Sequence, residues 1–292
     1  IKNTDKLDSI NYIYIINNKN ILKGIISIKE IFRQSKNKKA SQIMTKKLIV
    51  ARPHTDQEKI AYLSLKNNIK SVPIIDKNNK FLGVVLGDDI LNILYKELRE
   101  DISRLAGISN HKPNKIDDIF SMPLLISLKH RLPWLIIGLF GGLIAAQVIN
   151  LFEETLSKNI ILAAFIPLVV YMSSAVGTQI GFFIIRDLAI HSKINFWMYT
   201  LRQFKIILGI SVIISSIVFI ITFLIYSQIM VAWALTLAIF LATLSSIITG
   251  LFIPYAFNKL RFDPANASGP IATITQDIIS VTIYLLIAKS IL

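Results

Sequence analysis

The sequence predicts an α-helical membrane protein with five transmembrane helices, preceded by a soluble α+β region. Three observations carry this prediction. Residues 1–131 hold 24 of the 32 basic and 13 of the 18 acidic side chains, whereas residues 132–292 keep 8 and 5 and are otherwise apolar. The C-terminal half contains long uncharged runs, of which residues 206–258 form the longest. At about 20 residues per crossing, that half accommodates about five spans with short connections. The N-terminal half instead carries a repeated strand–turn–strand–helix pattern, the mark of a duplicated soluble unit.

The repeat sets the order of the soluble elements. Ile15-Ile16-Asn17 followed by Gly24-Ile25-Ile26 recurs 59 residues later as Ile74-Ile75-Asp76 followed by Gly83-Val84-Val85. Each copy reads as an apolar strand, a polar turn and a second strand opening at glycine. A helix follows each copy, Lys29–Gln34 in the first and Asp88–Arg104 in the second. Gln57–Asn67 precedes the second copy as a further helix, with Ile60, Ala61, Leu63 and Leu65 apolar. With Met44–Val50 and Ser71–Asp76, this arrangement resembles a pair of CBS domains, the first truncated at its start. The chain opens at Ile1 in mid-pattern, so further sequence is expected upstream. The division is residues 1–38 for the partial first CBS domain, 39–108 for the second, 109–131 for a connecting or plug helix, and 132–292 for the membrane domain.

Within the membrane domain the expected spans are Leu132–Phe152, Ile160–Ile185, two within Ile206–Asn258 turned near Tyr226-Ser227-Gln228, and Ala267–Ala288. Lys129, Arg131, Arg186, Lys193, Arg202, Lys205, Lys259 and Arg261 flank one set of span ends. The other set has Lys158 against Glu153 and Glu154, with Lys289 near the C-terminus. The positive-inside rule then predicts a multi-pass protein of the cell membrane, with its N-terminal half cytoplasmic and its C-terminus outside.

One residue sits where a charge is costly. Asp277 lies in the apolar run Pro264–Ala288, which has no other charged side chain. A carboxylate there costs roughly 2.5–3.5 kcal/mol on insertion scales, so it ordinarily faces a partner or a water-filled path. With no Lys or Arg in its segment, a cation from solution is the natural counter-charge. Asn266, Pro270, Thr273, Asp277, Ser280 and Tyr284 recur at helical spacing, as a stripe lining such a path would. A hydrogen-bonded seam between helices is the other reading, and the ionisable group favours the cation site. In the second span, Ser173, Ser174, Gly177, Thr178 and Gln179 stand in apolar sequence, suited to close packing or to an unwound stretch presenting carbonyls. Hard divalent cations take oxygen ligands, and magnesium keeps much of its water.

These residues also carry a family resemblance. Asp263-Pro264-Ala265-Asn266-Ala267-Ser268-Gly269-Pro270, with Thr273, Asp277 and Tyr284, resembles the last-span signature of MgtE-type magnesium transporters. Gly177-Thr178-Gln179 with Arg186-Asp187-Leu188-Ala189 is similar to that family's second span, and Arg131-Leu132-Pro133-Trp134-Leu135 to the start of its first. Asp88-Asp89 with Glu97, Glu100, Asp101 and Leu105-Ala106-Gly107 resembles the end of its CBS region. The resemblance implies a homodimer in the lipid bilayer, passing divalent cations inward and passively through a pore between subunits. It implies a pore ion site at Asp277 with Asp263, Asn266, Thr273, Gln179 and the position of Ala175. It also implies regulatory magnesium on Asp88, Asp89, Glu97, Glu100 and Asp101, closing the pore when internal magnesium is high.

Two departures bear on the ion. Ser173-Ser174-Ala175 stands where the family usually has Gly-Gly-Asn, and Arg202-Gln203 where Arg-Glu is common. Sodium, cobalt or manganese are therefore alternatives to magnesium, and a CBS-containing membrane sensor without transport is the alternative to a carrier. CBS pairs often bind adenosine nucleotides, but Gly24-Ile25-Ile26-Ser27 is followed by Glu30, and Gly83-Val84-Val85 has Leu86 before Asp89. Neither copy completes the nucleotide motif, with Asp89 the one acid in place. The chain has no cysteine and its four histidines form no motif with a nucleophile, so neither thiolate chemistry nor an enzyme is expected. The lysines are not interleaved with aromatics on one face, so no nucleic-acid partner is expected.

Overall fold

The computed structural model describes residues 11–35, 37–108, 120, 122–190, 194–265 and 269–292. The chain divides into two units, Ile1–Leu98 and Arg99–Leu292.

The first unit is built from two antiparallel hairpins and their helices. Strands β1 (Tyr12–Ile16) and β2 (Leu22–Ser27) form one hairpin, β3 (Val72–Ile75) and β4 (Phe81–Val85) the other. The hairpins share their turn chemistry as well as their sequence pattern. Asn17 Oδ1 accepts from the amides of Lys19 and Ile21 at 3.1 and 2.8 Å, and Asp76 Oδ1 from those of Asn78 and Lys80 at 2.7 and 2.8 Å. Asn20 and Asn79 take φ of 59° and 60°, a region asparagine tolerates better than most side chains. A register shift follows in each hairpin, between Ile15 and Ile16 and between Ile74 and Ile75. The turns then exchange hydrogen bonds: the Leu22 amide donates to Asn79 O at 3.2 Å, and the Phe81 amide to Asn20 O at 2.8 Å.

Helix α1 (Ile28–Arg33) follows β2 directly, and α2 (Ala40–Ile43) is a single turn. Helix α3 (Gln57–Lys66) is capped by Asp56, whose carboxylate accepts from the Glu58 amide at 3.0 Å, satisfying one of the free donors of the first turn. Ala51, Ile60, Ala61 and Val72 pack with Ile90 of α4 (Gly87–Leu105) into a small core.

The second unit opens with the C-terminal end of α4 and, among the described residues, holds five helices long and apolar enough to cross a membrane. They are α5 (Leu124–Asn150), α7 (Ile160–Ile190), α8 (Phe196–Tyr226), the Ile229–Lys259 stretch, and α11 (Pro270–Ile291). A short helix, α6 (Glu153–Lys158), joins α5 to α7. Residues 124–131 of the expected connecting helix and the first expected span form one helix that starts at Leu124 and runs through Pro133, while residues 109–119 and 121 lie outside the described residues. Ser227, at φ 52°, closes α8 with its amide on Phe223 O, which places the turn between the third and fourth spans where the sequence puts it.

The fourth span is not one regular helix. Helix α9 (Ile229–Ile247) gives way to a π-helical turn, Ile248–Phe252, before α10 (Ile253–Lys259). Pro254 has no N–H to return to the Gly250 carbonyl, so the α-helical ladder cannot continue unbroken there. Span four is also the most buried. Ala232, Ala234, Ala238 and Ala242 are buried on α9, and such small residues let neighbouring backbones approach closely. Gly250 shows the limit of that approach: a Cβ there would lie 2.5 Å from the Gly177 carbonyl oxygen of α7. By contrast, α5 buries only Gly141, against Ile274 of α11, and leaves Leu135, Leu139, Phe140 and Leu143 exposed.

Candidate functional site

Helix α11 carries Asp277 and the polar residues on either side of it. Asp277 lies seven residues past Pro270, about 10 Å into the helix at roughly 1.5 Å per residue. Its side chain is half-buried, and Oδ1 accepts a hydrogen bond from Ser174 Oγ of α7 at 2.5 Å. Among the described residues no Lys, Arg or His forms an ion pair with it.

Behind Asp277 stands a buried network that the sequence stripe does not foresee. Gln276 is 1 % exposed and has its side chain saturated. Its Oε1 accepts from Thr249 Oγ1 at 2.5 Å, and its amide nitrogen lies 3.2 Å from Ala242 O, 3.1 Å from Ser245 Oγ and 3.1 Å from Ser280 Oγ. Ser280 meets Ser173 at 2.5 Å, and Tyr284 donates to Leu162 O at 2.7 Å. Ser280 and Tyr284 therefore face the protein interior rather than a water path, a correction to the stripe. Gln276 was legible as an uncharged polar residue beside Asp277 and four positions from Ser280, but its partners on the π-turn were not.

Three of the other expected site residues lie on the outside of the bundle. Helix α11 starts at the end where α7 finishes, so the two run antiparallel. One turn from the Ser174–Asp277 contact, towards the basic end, Thr178 and Gln179 of α7 come level with Thr273 of α11, and all three are exposed. Ala175 is partly buried beside Ser174. Helix α7 is continuous through Ser173–Gln179, so the unwound stretch with presented carbonyls does not occur there. Asn266 lies outside the described residues.

Asp263 is already engaged. Arg104 at the end of α4 pairs with both Asp263 and Glu100, and Asp263 Oδ1 also accepts from the Ala265 amide at 2.8 Å. The backbones meet closely at the same place: a Cβ on Gly269 would lie 2.9 Å from Leu105 O, and one on Gly107 (φ +69°) 2.8 Å from Pro270 Cγ. Asp88 and Asp89 occupy the first turn of α4, where Asp89 faces the Leu86 amide at 3.4 Å. Glu97 accepts from Gln57 Nε2 at 2.5 Å, and Asp101 lies nearer the helix C-terminus. Among the described residues no three His, Cys, Asp or Glu side chains converge to hold a metal ion. The soluble unit has a cleft of about 140 Å³ lined by Tyr12, Ser27, Thr45, Lys47 and Ser71 among others, and Asp89 is not in its lining.

Two sequence families match this chain. Residues 166–287 match the MgtE divalent cation transporter family and residues 40–96 the CBS domain. The magnesium transporter MgtE of Bacillus subtilis is 31% identical over 285 residues, 97% of this chain and 62% of the relative. This chain carries an MgtE-type divalent cation transporter domain over residues 166–287. The MgtE proteins of Enterococcus faecalis and Thermus thermophilus are 30% and 27% identical, each over 98% of this chain and 62% and 63% of their own length. The chain thus spans somewhat over three-fifths of the MgtE relatives it matches. Among solved structures, the cytosolic domain of the Mg²⁺ channel MgtE in complex with ATP is 30% identical, covering 30% of this chain and 35% of that one, with a TM-score of 0.29.

Proposed function

We propose that this chain is the CBS and membrane portion of a magnesium channel, carrying the ion inward and passively through a pore between two copies of the membrane unit. The observation that carries the reading is the position of Asp277: half-buried, hydrogen-bonded by a serine, and without a basic partner among the described residues. A carboxylate held this way keeps oxygen lone pairs for a cation, while its exposed side keeps contact with water.

The placement of the pore between copies rests on the exposed polar residues. Thr178, Gln179 and Thr273 lie on the outer surface of a single bundle, at a depth where hydrocarbon would otherwise meet them. A second copy facing the first across this strip turns the surface into a lined path, with two Asp277 carboxylates to attract a divalent ion. Thr273 and Gln179 then offer oxygens to a largely hydrated magnesium ion, with Asp263 at the basic end. That end is cytoplasmic by the positive-inside rule, which puts the CBS region inside and the C-terminus outside. Regulation by internal magnesium is assigned to Asp88, Asp89, Glu97, Glu100 and Asp101 of α4.

Magnesium influx into proteoliposomes, followed with an internal dye, tests the reading. Wild-type flux is expected, and its loss in Asp277→Ala. Flux that survives Asp277→Ala unchanged removes the pore site, and no flux from the wild type favours a sensor. A second ion remains a specific alternative because Ala175, not an asparagine, follows Ser174. Cobalt or manganese outcompeting magnesium in the same assay would move the assignment to that ion.

A further inference from the structure

At the basic end of the membrane unit, away from Asp277, a cavity of about 400 Å³ opens between the end of α7 and the start of α8. Two guanidiniums, Arg186 and Arg202, line it against one carboxylate, Asp187, which leaves the lining net positive. Arg186 is fixed in place: Nε and Nη2 bond Asp187 Oδ1 at 3.0 and 2.9 Å, and its guanidinium lies 5.1 Å from the centre of the Phe183 ring. The other carboxylate oxygen, Oδ2, is taken by Tyr199 Oη at 2.9 Å. Arg202 is exposed, and the carboxylate that could neutralise it is already doubly occupied.

The lining is graded along the two helices. Helix α7 runs towards the basic end, so Phe183 lies about 4.5 Å deeper than Arg186 at roughly 1.5 Å per residue. Helix α8 runs the opposite way, so Ile206 lies about 6 Å deeper than Arg202 by the same rise. Both apolar lining residues are thus on the hydrocarbon side, and the cations and Tyr199 are on the water side. A free inorganic anion has no use for the deeper wall. A headgroup phosphate with its glycerol and first methylenes matches both parts, in the manner of basic pockets between membrane helices.

We propose that this cavity binds the headgroup of an anionic glycerophospholipid, its phosphate held by Arg202 and Arg186 and its acyl stem against Phe183 and Ile206. The site is separate from the ion path and independent of which ion is carried.

The full chain, stripped of lipid in detergent and titrated with phosphatidylglycerol or phosphatidylcholine, can be followed by native mass spectrometry. Wild-type protein is expected to retain phosphatidylglycerol in preference. Arg202→Gln, at an exposed position that does not disturb packing, should weaken that retention about fivefold and leave phosphatidylcholine unaffected. Lys158→Gln, at the opposite end of the bundle, should change neither. Equal retention of the two lipids by the wild type would overturn the proposal. So would an unchanged preference in Arg202→Gln, an equal loss in Lys158→Gln, or displacement of the bound lipid by inorganic phosphate at constant ionic strength.

Discussion

Thr249 donates its hydroxyl to Gln276 at 2.5 Å, tying the π-helical turn of span four to the residue next to Asp277. Gln276 is saturated by groups from α9, the π-turn and its own helix, so the rotation of α11 about its axis is fixed at this point. The direction in which Asp277 points follows from that rotation. Gln276→Leu removes the acceptor 2.5 Å from the buried Thr249 hydroxyl, which keeps only Ser246 O at 3.3 Å, at about 1–3 kcal/mol for a buried group that loses its partner. Thermal unfolding in detergent should show a lowered midpoint, and magnesium influx should fall even though the variant retains Asp277.

Gly250→Ala tests the close approach of α7 and the π-turn. The added methyl would sit 2.5 Å from the Gly177 carbonyl oxygen and 2.9 Å from Ile180 Cβ, so the backbone has to move. Overpacking of this kind typically costs about 1–3 kcal/mol. Gly138→Ala, where nothing lies within 4 Å of the new methyl, should not lower the unfolding midpoint, since alanine favours the helix interior over glycine.

Ala175→Asn returns an amide oxygen beside Ser174 and Asp277. Added oxygen donors suit a hydrated hard cation, so the variant should discriminate more sharply for magnesium against cobalt and manganese in competition flux. Unaltered discrimination would show that position 175 does not face the ion.

The Arg104–Asp263 pair predicts a separation of gating from stability. Both side chains are about a third or less exposed, at 26% and 35%, and pairs near the surface contribute about 0–1 kcal/mol. Arg104→Gln should therefore leave unfolding nearly unchanged. It should raise basal influx by releasing the start of α11 from the end of α4. Neutralising Asp88, Asp89, Glu97, Glu100 and Asp101 together should weaken inhibition by internal magnesium, measured as a shift of the inhibitory concentration to higher values.

Much of the architecture was legible in the sequence because its signals are periodic or compositional. The hairpins repeat with asparagine or aspartate at the same turn positions, and the turn at Ser227 interrupts an otherwise uncharged run. Asp277 was legible because an ionisable group in apolar sequence is costly. What escaped was tertiary. The stripe through Ser280 and Tyr284 has helical spacing, but spacing alone does not say whether a face meets water or protein, and both residues bond inward to α7. The π-turn has its clue in Pro254 four residues after Gly250, yet a proline in an apolar run is equally compatible with a simple kink. Asp263 looked available as a mouth acid because its partner, Arg104, lies in another element far away in sequence.

The exchanged bonds between the hairpin turns, Leu22 to Asn79 and Phe81 to Asn20, make each strand pair a gauge for the other. A one-residue slip in either hairpin reverses which side chains reach the core, and here it would also pull an asparagine carbonyl away from the opposite copy. The two copies therefore hold each other in alignment, and cutting away the first would loosen the second although the covalent path through α3 and β3 stayed whole.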